Sequence, residues 1–116
     1  MVELNHLPLD AVFGALADPT RRAMLQRLAD GEASVGELAA PHAMSLAAAS
    51  KHIRVLERAG LIDRTVKGRT HSCRLNPEPL AGIDVWLRHY QKFWQARLDD
   101  LERALLEDSP SKPKEP

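Results

Sequence analysis

Residues 44–68 read MSLAAASKHIRVLERAGLIDRTVKG, and the other elements are arranged around this stretch. Ser45 is a helix-starting residue, residues 46–59 hold no proline or glycine and few β-branched side chains, and Gly60 follows. The pattern predicts a helix over 46–59 with both ends marked. At about 100° per residue, Ala49, Ile53 and Leu56 share one face, with Leu46 and His52 at its margins, while Ala47, Ser50, Lys51, Arg54 and Arg58 share the opposite face. The first face is apolar and suits a core. The second is small, polar and cationic. Small side chains allow close approach to a surface, and Lys and Arg beside them match a polyanion whose base edges and phosphates must both be reached. The helix is therefore expected to be a DNA recognition helix.

Its neighbours strengthen that expectation over an ordinary amphipathic helix with a solvated face. Upstream, Ser34 and Glu37 have the spacing of a capping box, opening a short helix that Pro41 ends, so residues 41–44 join two helices at helix-turn-helix spacing. Downstream, residues 61–66 and 70–75 flank the turn signal Lys67-Gly68, with Arg64, Lys67, Arg69 and Arg74 along the ribbon. This reads as a basic wing. The expected fold is mostly α with a small β-hairpin, a winged helix-turn-helix in the order α-α-α-α-β-β-α.

A chain of 116 residues supports one domain with a modest core. Its formal net charge is zero, but residues 45–74 hold seven Lys or Arg against Glu57 and Asp63, a local excess of +5. Phosphate binding depends on local charge, so neutrality of the whole says little against nucleic acid. The single cysteine, Cys73, excludes an intrachain disulfide and any thiolate cluster within one chain, and fits a reducing cytoplasm. No apolar run approaches the ~20 residues of a membrane span, and residues 1–7 lack the layout of a secretory signal.

Toward the N-terminus, Val12, Phe13 and Leu16 recur at helical spacing over residues 9–16. Asp18-Pro19 then starts a second helix over 20–29, with Met24, Leu25 and Leu28 inward. Arg21 and Arg22 oppose the dipole of its first turn and are expected to be solvated, or to answer a nearby phosphate or acid. Toward the C-terminus, Asn76-Pro77-Glu78-Pro79 separates the wing from a proline-free stretch, residues 80–106, expected to form one long helix. Ile83, Trp86, Leu87, Tyr90, Phe93, Trp94, Leu98, Leu101 and Leu105 fall within a sector of about 140° on such a helix. Spanning about 40 Å, it outruns the core of so small a domain. Trp86, Tyr90, Phe93, Trp94, Leu98 and Leu101 are accordingly expected to meet the same helix of a twin subunit. Residues 1–107 are read as the DNA-binding and dimerisation domain, and residues 108–116, rich in proline, lysine and serine, as a disordered tail.

LADPTRRAMLQRLADG, then GELA, then SLAAASKHIRVLERAGLIDRTVKGRTHSCRL, resembles the arsenic-repressor (ArsR-type) family of bacterial winged-helix regulators. The resemblance implies a homodimer that binds double-stranded DNA at an imperfectly palindromic operator, usually represses, and releases DNA on a signal. By position it implies that Ala47, Ser50, Lys51 and Arg54 face the major groove and that Lys67, Gly68 and Arg69 form the wing tip. The family's metal-sensing patterns do not carry over. Ser34, Val35, Gly36 and Glu37 stand where cysteines are common, and Asp84 and His89, five positions apart, diverge around the last helix. No metal and no cofactor are expected. The family's usual glutamine near Leu46 is absent, so its base contact does not carry over to that position.

Catalysis is not expected. Ser50, Lys51 and His52 are consecutive and diverge around a helix, and neither a Gly-x-Ser-x-Gly elbow nor a phosphate-cradling glycine loop is present. The alternative is a protein-interaction module that uses the aromatic helix without binding DNA, a role that has no need of a basic wing. Cys73 lies near His71 and Arg74, whose charge would favour a thiolate, but a small strand residue packed under the wing is the expected role.

Overall fold

The computed structural model of the chain describes residues 9–107. Its elements are α1 (Leu9–Leu16), α2 (Pro19–Leu28), β1 (Ala33–Ser34), α3 (Val35–Ala39), a 3₁₀ turn (Ala40–His42), α4 (Leu46–Arg58), β2 (Ile62–Lys67), β3 (Thr70–Leu75), α5 (Glu78–Arg88) and α6 (Gln91–Glu107). The architecture is a mostly helical winged helix-turn-helix with two additions to the expected order. β1 makes the sheet three-stranded, in the order β1-β3-β2 and antiparallel throughout, with Ala33 opposite Cys73. The C-terminal stretch is two helices. Residues 108–116, read as a tail, lie outside the described residues.

Local chemistry accounts for the helix ends. Asp18 accepts a hydrogen bond from the Arg21 backbone N–H (3.0 Å), with Pro19 at the first helical position of α2. The capping box of α3 is complete: Ser34 Oγ accepts from the Glu37 N–H (3.1 Å), and Glu37 Oε1 accepts from the Ser34 N–H (2.8 Å). Pro41 sits inside the 3₁₀ turn, after which Ala43 takes a left-handed conformation (φ 50°) that redirects the chain into Ser45. Ser45 Oγ then accepts from the Ala48 N–H (3.1 Å) and starts α4. At the far end, the Gly60 N–H donates to Glu57 O and the Leu61 N–H to Leu56 O, both 2.9 Å, closing α4 in a Schellman motif. Gly60 supplies the positive φ this requires, 79°. Asn76 ties the crossing together, its Nδ2 donating to Gly60 O (2.9 Å) and its Oδ1 accepting from the Glu78 N–H as α5 begins.

Contacts divide the described residues into two compact units, residues 9–83 and 84–107. In the first, Val12 and Ala15 of α1, Met24, Leu25 and Leu28 of α2, Leu38 of α3, Ala49, Ile53 and Leu56 of α4, and Leu61, Ile62 and Cys73 of the wing form one core. Of the residues at helical spacing in α1, Phe13 is 40% exposed, and Ala15 is buried beside Val12. Arg21 and Arg22 are not merely solvated. Arg21 donates from Nε to Ala15 O (2.6 Å) and from Nη2 to Gly14 O (3.0 Å), and Arg22 Nη1 donates to Leu16 O (2.7 Å). These carbonyls end α1, whose C-terminal dipole charge the two guanidinium groups offset.

In the second unit, the expected continuous helix breaks at His89-Tyr90 without proline or glycine. The N–H groups of His89, Tyr90 and Phe93 each bond the carbonyl three residues back, to Trp86, Leu87 and Tyr90, in place of the α-helical pattern. Aromatic residues and histidine are weak helix formers, and here they gain ring contacts instead. Tyr90 packs edge-on to Trp86 (centroids 5.0 Å apart) and to His89 (5.1 Å). The apolar stripe continues within α6 through Phe93, Trp94, Leu98, Leu101 and Leu105, all exposed.

Two expectations follow from these contacts. Gly60→Ala should destabilise the fold by about 1 to 2 kcal/mol, the cost of a left-handed L-residue. The measurement is a shift of the urea midpoint with an unchanged m-value. Cys73 is fully enclosed, and burial pushes its thiol pKa up, against the partial offset of Arg64. The thiol should therefore stay protonated at neutral pH and react with iodoacetamide on the order of 100-fold more slowly in the folded chain than in denaturant.

Candidate nucleic-acid interface

The inner face of α4 is sealed: Ala49, Ile53 and Leu56 are each 0% exposed. Burying Ile53 and Leu56 contributes about 1.5 to 3 kcal/mol apiece, which fixes the rotation of the helix about its axis. Ala47, Lys51, Arg54 and Arg58 are consequently exposed, and Ser50 is half-buried at the edge of their face. Among the described residues, Lys51, Arg54 and Arg58 take part in no ion pair. They stand as free positive charge on one side of one helix.

The wing is a hairpin in which Lys67 pairs with Thr70 across a two-residue loop, Gly68-Arg69. Gly68 has φ 62°, the positive value that a tight hairpin turn places at its first loop position. Lys67 therefore ends β2, one residue beyond the strand read from the sequence, and Arg69 occupies the tip. Both are exposed and, among the described residues, unpaired. A groove of about 400 Å³ runs between wing and helix, lined by Leu46 and Ser50 of α4, Ser34, Val35 and Gly36 at the start of α3, and Arg64, Arg69, Thr70 and His71 of the hairpin. Recognition helix and wing thus open onto one common surface.

Arg64 belongs to a different category from the other wing cations. Its side chain is only 17% exposed, and its guanidinium grips both carboxylate oxygens of Glu57 on α4, with Nε 3.2 Å from Oε2. The carboxylate raises the arginine's pKa further. Nη1 also lies 3.2 Å from His71 Nδ1. Read from sequence as part of the basic wing, Arg64 is held by Glu57 of α4, and the pair fastens the wing to that helix. Arg74 reaches Glu32 at 3.8 Å across open solvent, a contact worth little. Sequence reasoning missed Glu57, since an arginine seven positions away on another element gives no local signal.

His52 points away from the outward face. Its Nδ1 lies 3.3 Å from Arg21 Nη1 and 3.9 Å from Asp18 Oδ2, so it joins α4 to the start of α2. The Arg21 backbone N–H, more than either charged neighbour, holds the Asp18 carboxyl below the usual range. Ser50, Lys51 and His52 thus face three directions and form no nucleophile and base pair. Among the described residues, no three His, Cys, Asp or Glu side chains gather in one place. Asp84 is ion-paired with Arg88 (2.8 Å), and His89 packs on Tyr90. No helix among the described residues is long and apolar enough to cross a membrane.

Comparison with known proteins agrees with this geometry. Residues 16–65 match a family model described as a helix-turn-helix domain. Over 89 residues the chain is 39% identical to the HTH-type transcriptional regulator Rv2034 of Mycobacterium tuberculosis, spanning 77% of this chain and 80% of the relative. Among solved structures, the ArsR family transcriptional regulator RHA00566 superposes with a TM-score of 0.74 at 42% identity, covering 82% of this chain and 97% of that one. The homodimeric winged helix-turn-helix DNA-binding domain of Mb0332 from Mycobacterium bovis gives a TM-score of 0.58 at 26% identity, with 74% and 82% covered. Relatedness over most of both chains, joined to a winged helix-turn-helix with an exposed cationic helix, means that the chain belongs to the ArsR family of transcriptional regulators and is not an enzyme.

Proposed function

We propose that this protein is a homodimeric repressor that binds an imperfectly palindromic operator in the bacterial cytoplasm and answers to a signal other than a metal ion. The observation that carries the DNA reading is the set of free cations, Lys51, Arg54, Lys67 and Arg69, displayed from a helix and a wing that Glu57 and Arg64 fasten together. Lys51 and Arg54 are long enough to reach base edges, while Ala47 and Ser50 allow the helix to approach closely. Arg58 lies toward the end of α4, where backbone phosphate is the nearer target. Lys67, Gly68 and Arg69 form a tip suited to phosphate or the minor groove. Occupancy of an operator by such a dimer is a direct means of repression, the mode that the family resemblance implies.

The dimer reading rests on α6. Trp94 is 38% exposed, Leu98 53%, Leu101 55% and Leu105 63%, an apolar row too regular for a solvated surface. Mb0332, a member of the same fold group, is homodimeric. Twofold symmetry sets two recognition helices in successive major grooves, with half-sites about 10 base pairs apart. The reading without metal rests on the donor set, in which one enclosed cysteine and scattered histidines do not supply three or four ligands on adjacent elements.

Arg54→Ala should cost about 1 to 3 kcal/mol on operator DNA and relax preference at one base position, whereas Lys67→Ala should weaken operator and scrambled DNA alike and reduce the salt slope by roughly one. Titration of both variants at several salt concentrations reads this directly. The reverse pattern would exchange the two roles, and absence of binding to either DNA at low salt would leave an interaction module in place of a regulator. The Trp94→Asp, Leu98→Asp double variant should sediment as a folded monomer at micromolar concentration where the unaltered chain is a dimer. A monomeric unaltered chain contradicts the assembly.

A further inference from the structure

Leu46 is the most exposed large apolar side chain described in residues 9–83, at 61%. It is not packed against the core, whose α4 seam consists of Ala49, Ile53 and Leu56. Packing does not explain a leucine at this position. Its location does: it is the first residue of α4, and the N-terminal end of a recognition helix is the end that meets base edges. Its neighbours offer little reach there. The Ser45 hydroxyl oxygen is engaged in capping the Ala48 N–H, and Ala47 and Ala48 carry only methyl groups. In the first turn Leu46 alone extends beyond the backbone, and it lines the groove with Ser50, Arg69 and Thr70.

A leucine has neither donor nor acceptor, so most of the major-groove code is closed to it. The apolar group displayed there is the C5-methyl of thymine, or of cytosine once methylated. Set against the amino group of an unmethylated cytosine or of adenine, the same side chain strips water from a donor without replacing the hydrogen bond. One residue therefore both favours a methylated pyrimidine and disfavours its competitors. We propose that Leu46 is a specificity-determining residue that reads the C5-methyl group of one pyrimidine in each operator half-site. The inference rests on the DNA-binding reading above and adds to it the base feature that this position meets.

The test uses the full chain and an operator duplex selected from genomic fragments. In one set of duplexes each thymine is replaced singly by uracil, which deletes the methyl and leaves the base-pairing edge intact; in another each cytosine is replaced by 5-methylcytosine. A thymine target predicts that uracil at one symmetry-related position weakens binding about fourfold per half-site, the factor expected for burying one methyl. A 5-methylcytosine target predicts a similar strengthening at one cytosine. In either case Leu46→Ala should lose the methyl dependence while keeping its helical circular dichroism, and Leu46→Gln should lose it while moving the preference at that position toward adenine. Wild-type binding unaffected by every methyl change overturns the inference and leaves the regulator reading standing, as does a methyl dependence that persists in Leu46→Ala. Failure of the unaltered chain to bind any duplex at low salt removes both.

Discussion

Burial of one face of α4 sets where the opposite face points and how the elements around the helix are placed. Ala49, Ile53 and Leu56 are withdrawn completely from solvent, and with that face committed the opposite side has nowhere to point but outward. Everything around the helix serves its placement. Ser45 and the Schellman turn at Gly60 set its two ends, α1 and α2 close over its inner side, and His52 adds a polar tie to Asp18 and Arg21. An apolar seam gives adhesion without direction, and these polar contacts supply the direction.

Charge is arranged with similar economy. The chain is neutral overall, so any attraction to a polyanion must come from segregation of charge. Within the cationic segment, the charge of Arg64 is partnered by Glu57. By gripping Glu57, Arg64 ties the wing to α4. A wing free to swing would lose entropy each time it met DNA, and a wing already held avoids much of that loss. Lys67 and Arg69, beyond the pinned section, keep their charge available.

The elements whose ends are marked by short-range chemistry were legible in the sequence. Ser34 with Glu37, Asp18 with Pro19, and Ser45 with Gly60 act within a few residues, and α2, α3 and α4 start and stop within one or two residues of where those signals lie. What escaped was set at longer range or by weak local preference. β1 is two residues long and exists because β3 offers it a partner, so it leaves no alternation to detect. The break at His89-Tyr90 arises from aromatic packing that a helical projection of residues 80–106 passes over. Arg21 and Arg22 were misread because their partners are the closing carbonyls of another helix. At the interface, the outward set of α4 was readable from a period of about 3.6 residues, whereas the commitment of Arg64 depends on how the hairpin lies over the helix.

The proposed DNA-contacting surface is a single one, made of α4 and the wing tip. Amide chemical-shift mapping of the isotopically labelled chain tests it most directly, with a short operator duplex added at low salt. Shifts should concentrate in residues 45–58 and 67–71, leave the buried strand around Cys73 little changed, and recede together as salt is raised. Shifts confined to residues 91–107, with the amides of Lys51, Arg54, Lys67 and Arg69 unmoved, would contradict it.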